Sequence, residues 1–240
     1  MLSDIYTVIW KETRSWLRYQ GSKSRILIIM LTPLFVAVLL PWQIGMSWLN
    51  GYIPLFLAFL VPTMIAGLTV PDSFAGEKER NTLPTLLASR LPDRAILFGK
   101  MLFGILLGWA TGLLVLVISL ISANISLGGE QLLFYSFSVL GAYLGFSLIM
   151  ATLTAGAGVL ISMRAKTAQE ASQLLIGGLL TLPLGLGLAS TVFLRGKEDE
   201  LANLDLPLIL LIAAALLLAA TGVLVWAAMR RFQRSRLVFD

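Results

Sequence analysis

Charged side chains are frequent between Asp72 and Arg80, where five of nine residues carry a charge. Acidic and basic residues alternate there, a pattern that can form ion pairs within the segment or bind a partner of complementary charge. A rigid charged segment would suit the transmission of a push to the elements on either side of it. A solvated loop with local Glu–Lys pairs is the alternative. The charged residues are Asp72, Glu77, Lys78, Glu79 and Arg80.

The residues after Arg80 have the spacing of an amphipathic helix. Leucines recur on one helical face, and Thr82 is suited to cap the start of the helix. Proline is tolerated in a first helical turn, which is the position of Pro84, and Pro92 is expected to end the helix. The leucines of this face are Leu83, Leu86, Leu87 and Leu91.

The composition limits the chemistry that the chain can perform. The sequence contains no His and no Cys, so imidazole bases, thiolates, zinc sites and disulfides are excluded. The Gly-Lys pairs at 99–100 and 196–197 are followed by Met and Glu, so neither completes a P-loop. We therefore predict no catalytic, cofactor-binding or metal site in this chain, and no ATP hydrolysis by it.

Long uncharged tracts between the charged residues indicate that the chain crosses a membrane. Of 240 residues, 58% are hydrophobic and only 13% are charged, which excludes an ordinary soluble domain. The first uncharged tract, 26–71, is long enough for two spans of about 20 residues. We predict an all-α polytopic membrane protein with one transmembrane domain over 1–240. Its predicted elements are an amphipathic interfacial helix at 1–24, six transmembrane helices at 26–45, 52–71, 99–123, 131–162, 171–193 and 206–229, a cytoplasmic loop at 72–94 and a tail at 230–240.

The distribution of Lys and Arg predicts the topology. If six helices cross the membrane, all but Arg195 and Lys197 of the 18 cationic residues lie on one side. Cytoplasmic loops carry such an excess, so both termini are predicted to be cytoplasmic. The net charge of +5 then reflects insertion and anionic lipid, and binding of nucleic acid is excluded.

The first 24 residues predict an amphipathic helix at the cytoplasmic membrane interface. One face of the helical wheel is apolar, and it consists of Leu2, Ile5, Ile9, Trp16 and Leu17. The opposite face is polar, and it consists of Asp4, Lys11, Arg14 and Arg18. Trp10 is suited to the headgroup layer. A membrane anchor is the simpler interpretation, and a docking surface for a partner is left open.

Two further patterns concern packing and the second cytoplasmic loop. Glycines at a spacing of four predict close helix packing within the chain. They are Gly104, Gly108 and Gly112 in the third predicted span, and Gly141 and Gly145 in the fourth. The loop at 164–170 is predicted to be a positively charged anchor, with a second, smaller partner contact as the alternative.

A longer motif in the same region resembles that of a known family. Residues 74–83 (FAGEKERNTL), followed by Leu-Leu-Ala-Ser at 86–89 and Gly-Lys at 99–100, resemble the signature of type-2 ATP-binding-cassette (ABC) permeases of exporter type. The resemblance extends to the interfacial helix, the six spans and the charged loop after the second span. Asn81 departs from the glycine that is common in that family, and Pro84 replaces a usual helix former.

The resemblance implies partners and roles. It implies a membrane subunit that pairs with a second permease, identical or related, and with two ATPase subunits that bind ATP and Mg, while this chain binds no cofactor. It also implies a prokaryotic-type inner membrane and contact with membrane lipids. The loop after the second span is expected to dock on the ATPase, braced by the interfacial helix. The residues expected at that contact are Glu77, Lys78, Glu79, Arg80, Thr82, Leu83, Leu86 and Leu87, and those of the bracing helix are Trp10, Lys11, Arg14, Trp16 and Arg18.

Two other functions remain open at the level of sequence. A channel or secondary carrier would need no ATPase, and a membrane scaffold would need no cavity. The predicted spans hold no charged residue at mid-membrane that could carry protons or sodium, which favours an external source of energy and an apolar or amphipathic cargo.

Overall fold

The computed structural model describes residues 1–19, 23–82, 89–128, 132–193 and 206–232. In this part of the chain the regular structure is helical, without strands, as expected for an all-α protein. The elements in chain order are α1 (Leu2–Tyr19), α2 (Lys23–Ile44), α3 (Ser47–Asn50), α4 (Leu55–Pro71), a π-helical turn (Asp72–Gly76), α5 (Glu77–Glu79), α6 (Asp93–Leu127), α7 (Phe137–Ser162), α8 (Ala168–Phe193) and α9 (Leu206–Arg231).

Four of the described helices are long and apolar enough to cross a membrane, and Leu31–Ile44 forms a shorter apolar helix. The four are Leu55–Glu79, Asp93–Leu127, Phe137–Ser162 and Leu211–Arg231. Six spans and cytoplasmic termini therefore stay a prediction. The helix bounds differ most from the predicted ones at the start of α6, which is Asp93 instead of residue 99, and at the start of α7, which is Phe137 instead of residue 131.

Helix α4 lies in the middle of the bundle, packed against α6 and α7. Small residues allow this approach: an ideal Cβ at Gly108 would lie 3.3 Å from the carbonyl oxygen of Pro62, and one at Gly104 would contact Val70. The predicted packing role of the α6 glycines is therefore confirmed. At Gly141 and Gly145 an ideal Cβ has no neighbour within 4 Å among the described residues, so no helix contact is seen there.

Hydrogen bonds between neutral side chains join α3 to the C-terminal half of α6. The indole of Trp48 donates to the Tyr135 hydroxyl at 3.0 Å, and that hydroxyl lies 2.6 Å from the Ser119 hydroxyl. Asn124 accepts from the backbone N–H of Leu133 at 2.8 Å and so holds the segment after α6. Because α6 has 35 residues, these contacts lie roughly 40 Å from its other end.

Helix α1 packs against the N-terminal part of α6, with Val8 and Glu12 turned inward. This buried stripe runs between the two predicted faces of the helix. Part of the predicted apolar face is exposed instead, and with Tyr6 and Trp10 it forms an outward surface. The exposed large residues of α1 beyond Met1 are Leu2, Tyr6, Trp10 and Leu17.

Candidate functional site

The charged segment begins with a change of helical geometry directly after α4. Residues Asp72–Gly76 form a π-helical turn, which contains one more residue per hydrogen-bonded loop than an α-helix. Ser73 and Phe74 are buried in this turn, and α5 continues from it. The turn directs Glu77 toward the inside of the bundle, where its side chain is only 10% exposed.

Four charged residues meet at this point and form what we call the ion cluster: Lys11, Glu12, Glu77 and Lys100. The Lys100 ammonium is fully buried, 2.7 Å from Oε2 of Glu77 and 3.3 Å from Oε1 of Glu12. Lys11 pairs with Glu77 and lies 3.1 Å from Oε1 of Glu12. The cluster has two formal charges of each sign, and it joins α1, α5 and α6.

The ion cluster is completed by polar and aromatic neighbours. Lys100 donates to the backbone carbonyl of Ser73, and its ammonium lies 5.2 Å from the centre of the Phe74 ring. Phe74 packs edge-to-face on Phe232, which follows α9, with ring centres 5.8 Å apart. Trp16 lines a small cavity beside Glu12. Buried charges are tolerated only with such partners, so each member depends on the others.

Lys11 is the member of the cluster that remains partly exposed. Burial alone lowers the pKa of its ammonium, but the carboxylates of Glu12 and Glu77 raise it, and the net pKa lies above the ordinary lysine value. A raised pKa in the folded state means that this stabilisation is present at neutral pH and is lost only in strongly alkaline solution.

Glu79 connects α5 to the loop between α7 and α8. Its Oε2 accepts a hydrogen bond from the backbone N–H of Ala168 at 3.2 Å, at the first residue of α8. Negative charge is favourable at a helix N-terminus. The hydroxyl of Thr167 accepts from the N–H of Glu170 at 3.1 Å and caps the same end. Around this contact, the buried alanines of the two segments pack together: Ala75, Ala165 and Ala171.

Asn81, at the end of α5, has a backbone conformation that glycine adopts most easily. Asn81 has a φ of +56°, in the left-handed region. The N–H of Thr82 donates to the carbonyl of Glu77 at 2.9 Å, and the N–H of Asn81 donates to that of Lys78 at 3.1 Å. These two bonds form a Schellman motif, in which glycine is preferred and asparagine is tolerated.

We expect Asn81→Ala to lower the free energy of unfolding by about 1 kcal/mol, because a Cβ without a compensating polar group is unfavourable at positive φ. Asn81→Gly should be close to neutral. Thermal unfolding of the purified protein in detergent measures both. Equal effects of the two substitutions would contradict the left-handed conformation.

The structure brings some of the predicted residues together and separates others. Glu77 and Lys11 belong to the ion cluster, while Lys78, Glu79, Arg80 and Thr82 are exposed. Arg80 pairs with Asp72 at 2.8 Å, a contact for which Gly76 leaves the space. Leu83, Leu86 and Leu87, with the helix predicted there, lie outside the described residues. On α1, Trp10, Arg14 and Arg18 are exposed, and the Arg14 guanidinium lies 4.4 Å from the centre of the Trp10 ring.

Sequence reasoning missed Glu12 and Lys100. Lys100 was placed at the very start of the predicted span 99–123, whereas α6 begins at Asp93 and Lys100 lies two turns inside the helix. The position of Glu12 between the two faces of the helical wheel was the one feature of the sequence that could have indicated its burial. Lys11, which was predicted on the polar face of α1 and in the bracing helix, pairs with the carboxylates of Glu12 and Glu77.

Comparison with known proteins gives one family. The family model described as ABC-2 type transporter matches residues 3–188, which include α1, the π-helical turn, α5, α6 and α7. No curated protein matches the chain.

Proposed function

This chain belongs to the ABC-2 type transporter family, and on that premise we propose that it is the membrane-spanning permease subunit of an ABC exporter, driven by ATP hydrolysis in a separate subunit. The family and the apolar helices make it an integral membrane protein. The matched domain is a permease domain and not an ATPase. We further propose two ATPase partners, a second permease, and cytoplasmic termini in a prokaryotic-type inner membrane.

The observation that carries this proposal is the bonding of the charged segment into three parts of the bundle. Glu77 pairs with α6 through Lys100 and with α1 through Lys11, and Glu79 caps α8. A displacement of α5 by an ATPase would therefore move α1, α4, α6 and α8 together. This is the behaviour that an externally driven permease requires, since the movement has to reach several helices at once.

A carrier driven by protons or sodium receives less support. Such a carrier needs a buried acidic group that can change its charge or bind an ion. Among the described residues the buried carboxylates are Glu12 and Glu77, and lysine ammonium groups pair with both of them.

The cargo is proposed to be apolar or amphipathic. An open groove of about 260 Å³ lies between α7 and α9 beside the start of α4. Its lining is mostly apolar, with Ser138 and Tyr52 as the polar exceptions, and it runs along Gly141 and Gly145. Apolar grooves with few polar groups suit such ligands.

The test is the purification of the tagged chain from its own cells in mild detergent, followed by an assay with Mg-ATP. We expect ATP hydrolysis to co-purify, although the chain itself has no P-loop. The control is an unrelated polytopic membrane protein with the same tag. A folded preparation in which hydrolysis does not exceed that of the control would contradict the proposal.

A further inference from the structure

Two pairs of tryptophan and arginine have the same spacing and a similar geometry on different helices. On α1 the guanidinium of Arg14 lies 4.4 Å from the centre of the Trp10 ring, and on α9 that of Arg230 lies 4.0 Å from the centre of the Trp226 ring. In each pair the arginine follows the tryptophan by four residues, so one helical turn places the cation beside the ring. The exposed fraction is 49% for Trp10 and 51% for Trp226. We call them the Trp–Arg pairs.

The arginines of both pairs keep their N–H donors available. Among the described residues neither Arg14 nor Arg230 forms an ion pair or donates a hydrogen bond. Helix α9 contains no acidic residue, and the acid nearest to Arg14 along α1 is Glu12, which is buried and paired in the ion cluster. A guanidinium carries its donors in one plane, where they match the oxygens of a phosphate, and an aromatic ring against its face leaves that plane open.

Exposed apolar side chains lie beside both pairs. Tyr6 and Leu17 are about one turn away from the pair on α1, and Val223 and Met229 are about one turn away from the pair on α9. The second pair also lies in the last turns of Leu211–Arg231, which is long and apolar enough to cross a membrane. Tryptophan and arginine at such a boundary suit the headgroup layer, because their apolar parts can enter the acyl region while the cation reaches the phosphates.

Both Trp–Arg pairs belong to the end of the bundle that contains the ion cluster. Arg14 follows Lys11, a member of the cluster, by less than one turn of α1. Arg230 precedes Phe232 by two residues, and the Phe232 ring packs on Phe74, which contacts the cluster. The two pairs therefore reach the same leaflet of the membrane.

We propose that each Trp–Arg pair binds the phosphate of an anionic phospholipid in the leaflet beside the ion cluster. The guanidinium donates to the phosphate oxygens, and the indole ring with its apolar neighbours contacts the glycerol and the upper acyl chain. The negative charge of such a leaflet strengthens the contact of each arginine. Bound lipid then fixes α1 and the end of α9 at one depth in the membrane. The inference requires only an integral membrane protein and does not depend on an ATPase partner.

An acidic protein surface is the less suitable partner. The exposed side chains that precede the pair on α9 are those of a lipid-facing helix, and they include Leu211, Leu218 and Val223. Lipid is therefore already present beside Trp226, and its phosphate lies within reach of a side chain at the end of the span.

The test counts the lipids that the purified full chain retains in detergent after incubation with equal amounts of phosphatidylglycerol and phosphatidylcholine, by native mass spectrometry. The unsubstituted chain should prefer phosphatidylglycerol, and Arg14→Gln combined with Arg230→Gln should lose about two of these molecules per chain, one for each pair. The matched control is Arg164→Gln combined with Lys166→Gln. It removes two exposed cations from a loop, 163–170, that exposes no large apolar side chain, and it should keep the lipids.

Thermal unfolding provides a second measurement and shows which variants are folded. Added phosphatidylglycerol should raise the unfolding midpoint of the unsubstituted and control chains more than that of the combined variant. If the combined variant does not fold, Arg14→Gln and Arg230→Gln are compared singly, and each should lose about one phosphatidylglycerol. Arginine-to-lysine substitution in both pairs keeps the charge without the planar donors and should lose part of the retained lipid.

Four results would overturn the inference and leave the proposed function untouched. A folded combined variant that retains as much phosphatidylglycerol as the unsubstituted chain shows that the pairs do not bind it. An equal loss from the control shows that retention follows total charge alone. Displacement of the lipid by inorganic phosphate at a similar concentration assigns the pairs to a soluble anion. An unsubstituted chain that retains both lipids equally leaves the pairs to an acidic protein surface.

Discussion

Replacement of Lys100 by methionine is expected to lower the free energy of unfolding by about 3–5 kcal/mol. The ammonium of Lys100 is fully buried and is the partner of Glu77 at 2.7 Å and of Glu12 at 3.3 Å. Methionine has a similar length but no charge, so two buried carboxylates would be left with Lys11 as their only cationic partner in the described cluster. Removal of one partner of a buried ion pair destabilises the fold more than replacement of both partners by apolar residues. The remaining charge stays buried without its hydration and without its counter-charge.

Thermal or denaturant unfolding in detergent measures this effect. The control is Lys78→Met, which makes the same chemical change at an exposed residue with no described partner and should alter stability little. Adding Glu77→Gln to Lys100→Met removes one charge of each sign and leaves Lys11 beside Glu12, so much of the loss should be recovered. A Lys100→Met protein as stable as Lys78→Met would show that the buried cluster does not form.

Gly99→Ala is expected to lower the free energy of unfolding by about 1–3 kcal/mol, because it forces α1 away from α6. An ideal Cβ at Gly99 would lie 2.6 Å from Cβ of Val8 and 3.2 Å from the carbonyl oxygen of Ile5. Neither atom is the end of a flexible side chain, so the helices themselves must move. Glu12 follows Val8 by one helical turn, and its contact with Lys100 should be strained by the same shift.

Gly141→Ala is the matched control for this substitution. Both glycines are inside long helices, but a Cβ at Gly141 meets nothing within 4 Å among the described residues. Alanine is the better helix former by about 0.5–1 kcal/mol, so Gly141→Ala should be neutral or stabilising. If both variants unfold like the unsubstituted protein, the close contact between α1 and α6 is absent in solution.

The sequence predicted where helices lie better than which side chains they bury. Uncharged tracts located the helices because charged side chains are excluded from lipid, and glycine spacing located the contact of Gly104 and Gly108 with α4. Helix α6 shows the limit of this method. A span defined by its uncharged tract was predicted to start at residue 99, with Lys100 at its very end, whereas the helix extends back to Asp93.

The candidate site was only partly predictable for a similar reason. Glu77 and Lys78 are neighbours in sequence and equally polar, yet Glu77 is buried and Lys78 is exposed. The difference depends on Lys100 and Lys11, which are distant in the chain, and on the geometry of the turn before α5. Periodicity reports neither long-range pairing nor a local departure from the α-helix.

The π-helical turn makes this part of the protein sensitive to chain length as well as to side-chain identity. Removing one residue from Asp72–Gly76 would restore an ordinary helix and rotate everything after it by about 100°. Glu77 would then point away from Lys100 even though no residue of the ion cluster had been changed. Relatives are therefore expected to vary in composition at this turn while keeping its number of residues, and a deletion there would disable the protein more surely than most substitutions.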